Sequence, residues 1–265
     1  MSVKIKFAAR SEVGNIRKNN EDNLFCNGII MSASERGRPF FLNGITESPA
    51  IFAVCDGMGG EDCGEVASLT AVQTLQEHSG RIFRTLPDAD KEVSGYVSSA
   101  NSKLLDLLRT QGIRTGTTLV LALAGGSSLR IYNLGDSRGF ITENGRLLRV
   151  TDDHTLAEDK MRMGFITAEQ AEKSRERHIL TRYLGENDEY GVVPDASKEY
   201  GFEKRKRGLL CSDGLTDMLT FAEISRIMSS SLDPSEAVNR LVDSALEHGG
   251  RDNVTCLVFE ISEGE

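Results

Sequence analysis

Four aspartates stand where an apolar strand ends or begins, each beside a glycine or an asparagine: Ile51-Phe-Ala-Val-Cys-Asp56-Gly57, Ile131-Tyr-Asn-Leu-Gly135-Asp136-Ser137, Leu209-Leu-Cys-Ser-Asp213-Gly214 and Arg251-Asp252-Asn253-Val-Thr-Cys-Leu-Val-Phe. Packed strands hold a terminal side chain rigidly, and an adjacent glycine lets backbone or ligand come close. Carboxylates gathered at one sheet edge repel each other unless a cation neutralises them, and hard divalent ions such as Mg²⁺ or Mn²⁺ take oxygen ligands. One Asp-Gly is most simply a turn. Four such aspartates, each abutting a strand, favour a shared metal site.

The rest of the chain switches between period 2 and period 3.6, a mixed α and β pattern. Strands are expected at 51–55, 117–124, 129–134, 139–142, 147–151, 208–211 and 254–261, with a Gly-Gly-Ser-Ser turn and an Asn144-Gly145 hairpin inside a meander. Helices are expected at 65–78, with Val66, Leu69, Val72 and Leu75 on one face, and at 92–109, with Val93, Val97, Ala100, Leu104 and Leu107. Two more fall at 221–228 and 235–248. Residues 154–177 are charged and helix-like without a strong apolar face, which marks a peripheral insert. Helices and strands come in blocks, so α+β is favoured over a doubly wound sheet.

The 265 residues suit a single domain spanning 1–265. With 40 acidic against 31 basic side chains and no basic run, the chain is a poor nucleic-acid binder. The longest uncharged stretch, 115–129, falls short of the roughly 20 apolar residues that span a bilayer, and the first ten residues carry no apolar signal core. A cytoplasmic protein with no membrane partner is expected. Five cysteines without a Cys-x-x-Cys pair argue against disulfides and thiolate zinc, and Cys55, Cys211 and Cys256 read as buried thiols. Gly135-Asp-Ser137-Arg-Gly139 matches the serine-hydrolase elbow, but a strand rather than a helix should follow it. Gly57 and Gly59 begin a dinucleotide fingerprint whose third glycine would fall on Asp62, beside Glu61. No Gly-Lys dipeptide exists for a Walker loop.

The segment Gly14-Asn-Ile-Arg17-Lys-Asn-Asn20-Glu21-Asp22 adds an arginine able to grip two phosphate oxygens. It joins Val54–Gly60, Gly64–Ser68, Gly116-Thr-Thr118, Asn133–Arg138, Thr151-Asp-Asp-His154, Leu180-Thr-Arg182, Ser212–Leu215 and Arg251–Thr255. In this order and over nearly the whole length, the set resembles the metal-dependent serine/threonine protein phosphatases of the PPM family (2C-type), in their bacterial form. The resemblance implies a central antiparallel β-sandwich flanked by helices on both sides, with a flap at about 155–190. It implies hydrolysis of phosphoserine and phosphothreonine in proteins, by in-line attack of a hydroxide bridging two Mn²⁺ or Mg²⁺ ions. Asp56 would bridge the ions, the Gly57 carbonyl would join the second, Asp213 and Asp252 would hold the first, and Asp136 with Asp213 a weaker third. Arg17 would bind the substrate phosphate, Glu21 and Asp22 would act through metal-bound water, and Asn253 would stand behind the metal ligands. The implied setting is a monomer acting in signalling on phosphoproteins made by a serine/threonine kinase. Met58 replaces the histidine that serves as general acid in animal members, and His154 reads as structural. Glu12 stands where bacterial relatives often have aspartate. The alternative from another class is a catalytically silent domain of the same fold that only binds a partner. Six acidic residues belong to the implied site, so the remaining 34 nearly balance the 31 basic ones.

Overall fold

In the computed structural model, which describes residues 3–59, 63–187, 191–202 and 205–263, the alternating N-terminus forms β1 (Val3–Glu12). It is followed by β2 (Asp22–Cys26), β3 (Ile29–Ile30), β4 (Phe40–Glu47) and β5 (Ala50–Gly59). Two long helices come next, α1 (Gly64–Arg84) and α2 (Ala89–Gln111). The strands β6 (Thr115–Thr117), β7 (Leu119–Gly125), β8 (Ser128–Leu134), β9 (Arg138–Glu143) and β10 (Arg146–Arg149) lead to short helices α3 (Leu156–Arg162) and α4 (Ala168–Lys173). After β11 (Asp195–Ala196), β12 (Tyr200–Gly201) and β13 (Lys206–Cys211) come α5 (Asp213–Thr216), α6 (Phe221–Ser230), α7 (Pro234–Glu247) and β14 (Val254–Glu263).

One sheet runs β10-β9-β13-β14-β1-β4 and the other β11-β8-β7-β5-β2-β3, with β12 beside β8 and β6 beside β5. Strand β5 shows why both faces of a sheet are covered. Its Ile51, Ala53 and Cys55 pack against α1 and α2, while Ala50, Phe52 and Val54 face the opposite sheet. Burial on both sides produces the unbroken apolar run that period 2 alone would not. The centre of the sandwich is aromatic: Phe52 lies 5.3 Å from both Phe7 and Phe259, stacked on the latter. On the far side, α6 and α7 cover the first sheet through Ile224, Ile227, Val238, Leu241 and Val242. The four-layer α+β sandwich expected from the sequence is therefore present.

Two features differ from the sequence reading. The 117–151 region is not one meander: β8 lies in one sheet and β9 in the other, so the chain changes sheets at Gly135-Asp136-Ser137. Gly135 makes the corner at φ 95°, where a Cβ would sit 2.6 Å from Thr118 Cγ2. Strands β2 and β4 had no clear signal, because β2 is short and β4 is an edge strand with alternate residues exposed. The Asn144-Gly145 hairpin is as expected, with φ 52° and 76°. Part of the flap, 188–190, and the Glu61 and Asp62 positions weighed for a dinucleotide loop lie outside the described residues. Among the described residues no helix is long and apolar enough to cross a membrane.

Because Phe52 joins both sheets while carrying no site group, Phe52→Ala should lower the unfolding free energy by about 3–5 kcal/mol. Urea denaturation should show a lower midpoint at an unchanged slope. An unaltered midpoint would mean that the aromatic stack is not the keystone of the sandwich.

Candidate metal centre

The strand ends converge on one edge of the sandwich. There, a cleft of about 390 Å³ is lined by Arg17, Glu21, Asp56, Gly57, Asp136, His178, Asp213 and Asp252, together with Met58, Gly59, Thr118 and Leu180. All four strand-end aspartates thus share a single space.

Each is fixed by backbone as well as by packing. Asp56 is clamped by its neighbours on the next strands: its amide donates to Thr118 Oγ1 at 3.0 Å, and its carbonyl accepts from Thr117 Oγ1 at 2.9 Å. Gly57 tolerates no side chain, since a Cβ would lie 2.1 Å from the Gly64 carbonyl oxygen and 2.6 Å from that of Glu21. Asp136 rides on the sheet-changing corner. That corner is held by His154, whose Nδ1 accepts from the Gly135 amide at 3.1 Å. The His154 ring is almost wholly buried, and its Nε2 lies 3.0 Å from Asp195, so its place is structural, as the sequence suggested. Burial depresses its pKa. Ser137 is fully buried and shares a 2.7 Å hydrogen bond with Thr118, and β9 follows it directly, which removes the hydrolase-elbow reading.

Asp213 opens α5, and Asp252 lies just before β14. Asp252 accepts from the Asn253 amide at 2.8 Å through Oδ1 and from Arg17 Nη2 at 2.7 Å through Oδ2. Asn253 is a staple whose importance no spacing rule reveals. Its Oδ1 accepts from the Glu21 amide, and its Nδ2 donates to the Val13 and Asn19 carbonyls, all at 2.8 Å. One side chain therefore ties the Arg17 loop to the Asp252 corner. Arg17 itself is half exposed and reaches the cleft across that corner.

Glu21 and Asp22, paired in the sequence reading, are separated by the strand. Glu21 is on the cleft wall, while Asp22 points into the protein and is fully buried. Asp22 Oδ2 accepts from Ser212 Oγ at 2.8 Å, but its Oδ1 has no partner. Directly across the sheet, Asp22 pairs in register with Asp56. His178 and Leu180, from the flap, also line the cleft, and the charged 154–177 pattern carried no sign of them. Four of the five cysteines are buried, including the three expected to be, and Glu12 is engaged by Arg10 at 2.7 Å.

The electrostatics of this cleft are those of too many carboxylates. Burial, followed by repulsion from Asp22, Asp213, Asp136 and Asp252, pushes Asp56 far above the usual carboxyl range. Burial and Asp213 do the same to Asp136. Burial raises Asp22 to about 7 and also raises Glu21. Arg17 supplies one positive charge against this set. An array of hard oxygen donors with uncompensated negative charge suits divalent cations, so the residues present fit a metal centre.

Comparison with known proteins agrees with this chemistry. A family model described as Protein phosphatase 2C matches residues 41–247. The chain is 34% identical to the serine/threonine phosphatase stp of Listeria innocua, over 95% of this chain and 94% of that protein. It is 29% identical to the serine/threonine protein phosphatase PstP of Mycobacterium tuberculosis, over 98% of this chain and 46% of that protein. The crystal structure of the M. tuberculosis phosphatase PstP/Ppp superposes with a TM-score of 0.82 at 29% identity, covering 98% of this chain and all of that one. The catalytic domain of PstP in complex with two manganese ions superposes with a TM-score of 0.78 at 28% identity, again over 98% of this chain and all of the other.

The raised carboxyls make a signed prediction for the metal-free chain. A carboxyl whose folded pKa is raised binds its proton more tightly when folded, so its contribution to stability falls as pH rises from the ordinary value of 3.8 through the raised one. Asp136→Asn removes one such charge. In chelator, the variant should be more stable than the parent at about pH 8, and the difference should shrink towards about pH 5 as Asp136 takes up its proton in the folded chain. Urea denaturation at both pH values checks this, and a variant less stable at the higher pH would contradict the electrostatic account.

Proposed function

This chain belongs to the protein phosphatase 2C family, and from that premise we propose which of its residues perform metal-dependent hydrolysis of phosphoserine and phosphothreonine in proteins. The observation that carries the assignment is the convergence of Asp56, Asp136, Asp213 and Asp252 on one cleft, with Arg17 at its rim. Asp56, which feels the charge of all the other site aspartates, would be the ligand that the divalent ions share. Asp213 and Asp252 would hold one ion, the Gly57 carbonyl would serve another, and Asp136 with Asp213 would hold a weaker third. Bound there, the ions supply Lewis acidity that makes hydroxide available near neutral pH and neutralises the phosphate's charge.

The chain's own groups do the rest. Arg17 spends one guanidinium nitrogen on Asp252 and leaves the remainder of its fork at the mouth of the cleft, where it binds the phosphate oxygens and stabilises charge on the transferring group. Its link to Asp252 places the phosphate grip beside the metal ligands. Glu21 lies on the same wall, its carboxylate against the Gly64 amide, and orients water at the rim. Asp22 acts from behind, setting the field at Asp56 rather than touching substrate. The silent binding domain is set aside, since the four metal aspartates Asp56, Asp136, Asp213 and Asp252 are all kept and brought to the cleft.

We also propose that the enzyme acts as a monomer. Five free cysteines suit a reducing compartment, and we place the enzyme in the cytoplasm, reversing a serine/threonine kinase.

With Mn²⁺, the chain should hydrolyse a small aryl phosphate and a phosphothreonine peptide. Asp213→Ala should abolish both activities, and Arg17→Ala should lower kcat/KM by about 10²-fold. Turnover that survives Asp213→Ala, or that persists in chelator, would refute the assignment. As an internal control, Ser137→Ala should leave metal-dependent turnover in place, and an organophosphate should not label the enzyme.

A further inference from the structure

We propose that His178, carried by the flap, is a nitrogen ligand to a divalent cation shared with Asp213 and Asp217. The inference rests on the cleft being a metal centre. It adds to that centre a ligand set that includes an imidazole and reaches outside the two sheets.

The ring is placed by the short helical turn Arg175–His178, which follows α4. Its Nδ1 lies 3.9 Å from Asp213 Oδ2, and its Nε2 lies 3.8 Å from Asp217 Oδ2. Candidate ligand atoms of the three residues all lie within 4.8 Å of one another. The two nitrogen–oxygen separations exceed the roughly 3.2 Å limit of a hydrogen bond, so the ring is near both carboxylates but bonded to neither. An octahedral ion with bonds of about 2.1 Å sets adjacent ligands about 3 Å apart and opposite ligands about 4.2 Å apart. The 3.9 Å gap from Nδ1 to Asp213 falls within that span, and the three-residue set, within 4.8 Å, needs a small contraction to close on one ion. Either ring nitrogen can serve as the ligand once the ring turns toward the ion.

A second observation comes from the other side of the cleft. Asp136 is only 9% exposed, and its carboxylate accepts no hydrogen bond except from its own backbone amide. Its strongest charged neighbour is Asp213, and it lines the same cleft as His178. A buried carboxylate with no partner beyond its own amide thus lines the cleft that His178 and Asp213 share. The pairing of Asp217 is consistent with this: Arg177 takes its Oδ1 at 3.1 Å and leaves Oδ2 on the side of the His178 ring.

The resemblance to the phosphatase family pairs Asp136 with Asp213 for a third ion. The geometry here recruits Asp217 and a flap imidazole as well, so occupancy of this ion and the position of the flap become linked quantities. A flap ligand stabilises the ion, and by reciprocity the ion holds the flap against α5.

The test needs no turnover. The full chain is saturated with Mn²⁺ and examined by pulsed electron paramagnetic resonance for coupling to an imidazole nitrogen. Sites made only of carboxylate, carbonyl and water oxygens give none. Among the four histidines only His178 lines the cleft. The expected result is a nitrogen coupling in the parent that disappears in His178→Ala and His178→Asn. Calorimetric titration of both variants should show one Mn²⁺ per chain bound about tenfold or more weakly, since even the loss of an outer partner costs about 10–100-fold. Asp217→Asn should weaken the same ion. Absence of nitrogen coupling in the saturated parent, or its survival in His178→Ala, would overturn the inference. If Mn²⁺ binds tightly but through oxygen alone, the carboxylate metal centre stands and only the role of His178 falls. If no Mn²⁺ binds, both fall.

Discussion

The constraint on which the rest of this structure depends is the mutual repulsion of carboxylates packed at one end of a β-sandwich. Asp56 experiences Asp22, Asp213, Asp136 and Asp252 in a setting where burial already disfavours its charge. A flexible edge would relieve this by letting the side chains swing into water. This edge limits that, because Asp56 is held through its backbone by Thr117 and Thr118, Asp136 rides on the His154-locked corner, and the Asp252 carboxylate is held by the Asn253 amide. The aromatic and aliphatic interior of the sandwich holds the sheets together against the strain at their rim. A divalent cation is then a structural part as well as a catalytic one, since binding only to the folded arrangement stabilises it by mass action.

Much of this was legible in the sequence, and what was not has physical reasons. The apolar runs ending in Asp56 and Asp213 were readable because strands covered on both faces leave unbroken hydrophobic segments. The Asp-Gly and Asp-Asn pairs marked the corners, since Gly57 and Gly214 leave no room for a Cβ. The sheet change at Gly135-Asp136 was hidden, because two strands joined by a short turn read the same whether or not they share a sheet. Opposite orientations for Glu21 and Asp22 follow from period 2 only once β2 is known to begin there, and a five-residue strand announces itself weakly. His178 carries no local signal at all. Its role depends on where the flap folds back, a non-local matter that charge patterning within 154–177 does not encode.

The flap is attached by a different kind of interaction from the rest. The helices α1, α2, α6 and α7 each bury an apolar face against a sheet, whereas α3 and α4 each bury a single alanine, Ala157 and Ala171. Polar contacts hold it: Lys160 to Glu176 at 2.6 Å within the flap, Arg162 to Asp152 at 2.8 Å and Arg177 to Asp217 at 3.1 Å to the core. Isolated exposed pairs of this kind contribute about 0–1 kcal/mol each. The flap's position is therefore set by a balance of small charged contacts, one of which, at Asp217, lies beside the metal-site carboxylate Asp213.

That placement connects two problems the enzyme must solve together. A phosphorylated side chain brings negative charge to a cleft already rich in it, and bare carboxylates would repel it. Cations reverse the local field, and Arg17, tied to Asp252, is set beside them rather than left to search. The same cations relieve the repulsion on Asp213 and so alter what Asp217, Arg177 and His178 experience on the flap side. Metal loading, phosphate binding and flap attachment thus act on one shared group of charges. A substitution at any of them changes the others through electrostatics before any contact is broken, and so the acidic residues here are better understood as one coupled array than as separate ligands.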